Sequence, residues 1–199
     1  MVDETQARVL SALGTVRGQP IWSGVAGPRD DYVLTLEIGE KRRRVSRLGA
    51  QELSFNKRTF EGAFGFIIEC PWRFESSDQV LCSCFELLEP TGRGPREIAG
   101  MADAVIEDVA IIAPAYDLLI QLSGGLRIFA FSSETNPKKK RNNWSFWSQR
   151  HLLTIGPKGT VALRDRQAEE AEQRNKAHAY EADEVVVRLP TRNREDPKK

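Results

Sequence analysis

A chain of 199 residues can bury a self-sufficient core, as one large domain or two small ones. Its 40% apolar and 29% charged residues exclude wholesale disorder, and no segment reaches the ~20 consecutive apolar residues of a membrane span. A net charge of +1 excludes global attraction to nucleic acid or anionic membrane, so an electrostatic partner must be met by a local patch.

The start, Met1-Val2-Asp3-Glu4, carries neither a basic stretch nor an apolar run of signal length, which predicts a chain that is neither secreted nor inserted. Asp3 with Gln6 has the pattern of a capping box, and Ala7, Leu10 and Leu13 at helical spacing before Gly14 predict a short amphipathic helix. Tyr32, Leu34, Leu36 and Ile38 alternate up to Gly39, the mark of a half-buried strand. A Gly39-Glu40 turn then places Lys41-Arg42-Arg43-Arg44 at the start of a returning strand. Phe64, Phe66, Ile68 and Cys70 alternate into Trp72-Arg73-Phe74, and Val80, Cys82 and Cys84 alternate again beyond a polar turn at 75–78. Two antiparallel strands account for this, with Cys82, Cys84 and Val80 on one face.

Glu89-Pro90-Thr91-Gly92-Arg93-Gly94-Pro95 is the clearest break in the chain and is expected to be exposed. A brief helix is expected over Arg96 to Met101. Leu118 to Leu122 and Leu126 to Phe131 then form a hairpin around Gly124-Gly125, with Leu126, Ile128 and Ala130 opposing Arg127, Phe129 and Phe131. Apolar groups on both faces make it central in its sheet. His151 to Ile155 and Thr160 to Leu163 form a further short hairpin. Arg164 to Ala182 has helical propensity with a thin apolar stripe, Val185 to Leu189 reads as an edge strand, and the tail from Pro190 reads as disordered.

The two halves echo each other. Asp31-Tyr32-Val33-Leu34-Thr35-Leu36 parallels Asp117-Leu118-Leu119-Ile120-Gln121-Leu122, and each half ends on a tryptophan segment, at Trp72 and Trp144. The expected fold is α+β, predominantly antiparallel sheet, with a short N-terminal helix and a polar C-terminal one. Two tandem related β units are expected at 1–90 and 95–189, followed by a disordered tail at 190–199.

Val105-Ile106-Glu107-Asp108-Val109, Ala115-Tyr116-Asp117-Leu118-Leu119-Ile120, the hairpin Ser123 to Phe131 and the closing Asn143-Trp144-Ser145-Phe146 resemble a group of small uncharacterised bacterial β-rich proteins. Pro71-Trp72-Arg73-Phe74-Glu75 before a polar turn is similar to segments in the same group. The two matches touch less than half of the chain. The resemblance implies an immunity or accessory factor of the bacterial cytoplasm, and it brings no catalytic residues.

Candidate chemistry is sparse. The three cysteines Cys70, Cys82 and Cys84 lack a paired metal knuckle, and His151 and His178 are far from them in sequence, so reduced, structural thiols are expected and no metal or cofactor. The same two histidines have no Ser or Cys nucleophile and orienting carboxylate in a recognisable pattern. Gly92-Arg93-Gly94-Pro95-Arg96 matches neither a P-loop nor a dinucleotide fingerprint. Glu107-Asp108 and Asp30-Asp31 are adjacent, which on a strand sends the carboxylates to opposite faces. The candidate binding site is Lys138, Lys139, Lys140 and Arg141 with Trp144 and Trp147, where Trp147 is expected to be exposed. A charge run between strands is usually a plain solvated loop; as a site, clustered cations beside aromatic rings suit a protein partner or, alternatively, single-stranded nucleic acid.

Overall fold

Among the described residues eleven strands form, most of them turning alternate apolar side chains to the core. The computed structural model describes residues 4–26, 33–43, 59–88, 93–136, 138 and 141–166. In chain order these hold α1 (Glu4–Gly14), β1 (Ile21–Ala26), β2 (Leu34–Arg43), β3 (Phe60–Ile68), β4 (Trp72–Glu75), β5 (Val80–Ser83), α2 (Arg93–Ala99), β6 (Ile106–Ile112), β7 (Asp117–Leu122), β8 (Leu126–Ala130), β9 (Trp144–Trp147), β10 (His151–Ile155) and β11 (Val161–Asp165). They form two antiparallel sheets, a six-stranded one in the order β1-β2-β3-β9-β10-β11 and a five-stranded one in the order β5-β4-β8-β7-β6.

The inner faces of both sheets enter one core. Leu34, Leu36, Ile38, Phe66, Ile68, Trp144, Phe146, Leu153 and Ile155 come from the larger sheet, and Trp72, Phe74, Cys82, Ile120, Leu122, Ile128 and Ala130 from the smaller. From α1 come Val9 and Leu13, with Val16 just beyond it. The buried stripe of α1 is thus rotated from the one the spacing predicts, leaving Leu10 exposed. α2 sets Ile98 and its neighbour Met101 against Gly24 of β1, where an added Cβ would meet Ile98 O at 3.2 Å.

Hydrogen bonds stitch the sheets at two places. Ile21 N donates to Ala104 O at 2.8 Å and Ile106 N to Gln19 O at 3.0 Å, tying the start of β1 to the start of β6. Between β3 and β4 the chain leaves one sheet for the other, and Glu69 N and Cys70 N both donate to Asn143 O at 2.9 and 3.0 Å. The fully buried Asn143 side chain holds the same corner: its Nδ2 donates to Gly156 O at 2.8 Å and its Oδ1 accepts from Glu134 N at 2.9 Å.

Several expectations are corrected. Each sheet draws strands from both sides of residue 92, so the described residues are not two tandem units, and the echoing segments fall in different sheets, in β2 and β7. The break at 89–95 runs into α2 with Gly94 buried, while 89–92 lie outside the described residues. Gly39-Glu40 is not a turn. It is a bulge with Gly39 at φ +74°, after which β2 continues so that Lys41 still pairs Gly62 of β3. A second bulge in β5 adds one residue between Cys82 and Val80, which turns Val80 outward, away from the buried Cys82. Arg164 and Asp165 belong to β11 rather than to a helix. The remainder of the polar C-terminal helix, the Val185 strand and the tail lie outside the described residues.

Candidate functional site

Trp144 and Trp147 both lie on β9, three residues apart, and strand side chains alternate, so the rings take opposite faces. Trp144 is fully buried in the core, where its Nε1 donates to Tyr116 O at 2.8 Å. Trp147 stands on the outward face of the six-stranded sheet opposite Gly65 of β3, and its six-membered ring fills the space that a side chain at Gly65 would need. Only 9% of it is exposed. The exposed ring expected beside the basic loop is therefore a packed one: Gly65, having no Cβ, lets the indole settle onto backbone. Its Nε1 is buried and has no hydrogen-bond partner among the described residues.

Lys138 is exposed, in a turn where its backbone N donates to Asn136 Oδ1 at 3.0 Å. Arg141 is half-buried, and Lys139 and Lys140 lie outside the described residues. Among the described residues the loop and the two rings do not make one patch.

The thiols are structural. Cys70, Cys82 and Cys84 are buried and form no disulfide. Burial pushes the Cys70 thiol up to about 12 and raises that of Cys84, so neither supplies thiolate near neutral pH. Among the described residues no group of three or more His, Cys, Asp or Glu side chains could hold a metal ion. His151 is half-buried at the start of β10, and His178 lies outside the described residues.

The outer face of the five-stranded sheet is of another kind. Its register places Ser83, Arg73, Phe129, Leu119 and Ala110 in one row across β5-β4-β8-β7-β6, and Val80, Glu75, Arg127, Gln121 and Asp108 in the next. The Arg73 guanidinium lies over the rings of Phe129 and Phe131 at 5.4 and 5.1 Å, and the two rings are 4.5 Å apart. Glu75, only 4% exposed, ion-pairs Arg73 through one oxygen and Arg127 through the other. At one edge of the face Arg17 pairs with Asp108. Ile112 and Val80 stand exposed at its two margins, and no helix among the described residues is long and apolar enough to cross a membrane.

Sequence reasoning passed over Arg73, Glu75, Arg127, Phe129 and Phe131. The signal was present: Arg127, Phe129 and Phe131 oppose the buried Leu126-Ile128-Ala130 face, so one side of a central hairpin had to present two aromatics and a cation. No family model, curated protein or solved structure matches the chain.

Proposed function

We propose that this chain is a non-enzymatic binding protein that holds a partner protein against the outer face of its five-stranded sheet. The observation that carries the reading is the stack of Arg73 on Phe129 and Phe131 at the centre of an open, partly apolar face. Arginine and aromatic side chains dominate the energetics of protein interfaces, and a cation already fixed against two rings loses little freedom when a partner arrives. Leu119 and Ala110 continue the apolar row, while Gln121 and the Arg17–Asp108 pair form a polar rim. Buried cysteines that form no disulfide and the resemblance to small bacterial β-rich proteins support a role in the bacterial cytoplasm, as an immunity or accessory factor that occludes its partner.

The nucleic-acid reading keeps the charge of the Lys138–Arg141 loop but loses its stacking platform, because Trp144 and Trp147 are both packed. The two readings separate in a co-purification from the native host with the intact chain and two variants. Phe129→Asp is expected to lose the partner while Lys138→Glu retains it, with both variants showing the parent circular dichroism spectrum. Retention of the partner by a folded Phe129→Asp protein overturns the docking face.

A further inference from the structure

The docking face carries a feature that specifies the chemistry of its partner, and the inference drawn from it rests on the docking reading. Glu75 sits on the outward row of β4, yet it is buried beneath the two arginines it binds. The register explains this: Arg127 lies directly across from Glu75 on β8, and Arg73 lies two residues back on the same strand and the same face. Both arginines pair with Glu75 through Nε, so the two Nη nitrogens of each guanidinium are left over. Among the described residues neither Nη edge makes a further hydrogen bond or ion pair. The two side chains are 44% and 49% exposed, so solvent reaches both residues.

Two cations meet one carboxylate, so the pair carries one positive charge in excess. The nearest neighbours in the sheet do not cancel it. Gln121, beside Arg127, is neutral, Asp108 is paired with Arg17, and among the described residues Asp78 of the adjoining turn makes no ion pair with either arginine. Glu75 below and Phe129 and Phe131 beside Arg73 hold the guanidinium planes in place before any partner binds, which suits two-pronged recognition of a planar anion.

We propose that the free edges of Arg73 and Arg127 form a receptor for a carboxylate side chain of the partner protein, with an apolar neighbour of that Asp or Glu resting on Phe129, Phe131 and Leu119. A phosphate backbone fits this site less well. Nucleic-acid affinity comes from neutralising several phosphates, whereas this face offers a single excess charge, and Arg73 already covers the rings on which bases would stack. Glu75 acts as a positioning residue: it does not touch the incoming anion but sets the spacing of the two forks that do.

The probe is a short fluorescent peptide in which glutamate alternates with leucine and serine, compared by anisotropy with its glutamine counterpart and with an oligothymidylate of similar length. With the intact chain, the glutamate peptide is expected to bind about tenfold or more tightly than the glutamine peptide, and Arg73→Gln and Arg127→Gln are each expected to erase most of that difference. Arg127→Lys keeps the ion pair to Glu75 but loses the fork, so it serves where the glutamine variants fold poorly and is expected to give an intermediate loss. Phe131→Ser is expected to weaken both peptides equally. If glutamate and glutamine peptides bind alike, or neither binds up to about 1 mM, the carboxylate receptor is wrong. In the first case the docking face survives if Phe131→Ser still weakens both peptides, and in the second it stands or falls on the co-purification. Tighter binding of oligothymidylate, lost in both arginine variants, assigns the forks to phosphate and overturns the inference as well.

Discussion

Trp147→Ala is the sharpest test of how β9 is packed. Removing a buried tryptophan costs about 3–5 kcal/mol through lost transfer energy and the cavity left behind. Here part of that is returned, because Trp147 Nε1 is buried with no partner among the described residues and its desolvation penalty of about 1–3 kcal/mol disappears with the ring. The expected net loss is about 2 kcal/mol, which for a chain of this size lowers Tm by roughly 4–8 °C. Urea and thermal unfolding followed by far-UV circular dichroism measure it, while partner binding by the folded fraction is expected to hold. A double-mutant cycle sharpens the test. At Gly65 a new Cβ collides with Trp147 Cζ2 and Cη2 and lies 2.5 Å from Leu36 O. Gly65→Ala alone is expected to cost about 1–3 kcal/mol and less in the Trp147→Ala background, though not nothing, because the carbonyl clash remains. A stability change under about 0.5 kcal/mol for Trp147→Ala, with binding lost, would show that the ring is a surface anchor and refute the packing argument.

Asn143→Ala is expected to cost about 2–4 kcal/mol in the same unfolding assays, because it strands Gly156 O and Glu134 N at a fully buried corner; a loss no larger than that of a surface asparagine contradicts the clasp. The cysteines predict a pH dependence with a definite sign. Cys70 ionises near 9.0 when unfolded and near 12 when folded, so its contribution to stability is complete below pH 9 and is lost as pH rises from there toward 12. No thiol is expected to react with a disulfide reagent at pH 8 in the native protein, and all three in denaturant. Rapid native labelling of Cys70 at pH 8 would disprove its burial.

Local chemistry made the central hairpin legible. Gly124 and Gly125 both adopt positive φ, at 76° and 74°, and the alternation on either side fixes the pairing of Leu122 with Leu126. The same local chemistry misled at Gly39, whose φ of 74° is as suited to a bulge as to a turn. What decides between them is the register with β3, where Lys41 finds Gly62, and that information lies about 20 residues further along the chain. The interleaving of the two halves was hidden for the same reason. Gly65 pairs with Trp147 and Ile68 with Trp144 across long separations that no periodicity within either half encodes.

One rule, that strand side chains alternate, both separates the two tryptophans of the expected site and builds the proposed docking face. Applied to Trp144 and Trp147, an odd separation without a bulge sends the rings to opposite faces of β9, so they could not share a surface whatever their exposure. Applied to Arg127, Phe129 and Phe131, even separations hold the three on one side of the chain, and the pairing of Arg73 with Phe129 and of Glu75 with Arg127 adds a cation and a carboxylate from β4. Composition had pointed to the lysine-rich loop because its charges are adjacent in sequence, where they are easily seen. The face built from β4 and β8 joins charges 52 residues apart. Its cations are fixed by a buried carboxylate and two rings, so they lose little conformational freedom when a partner arrives. That preorganisation is the physical ground for the proposal that recognition occurs on the sheet.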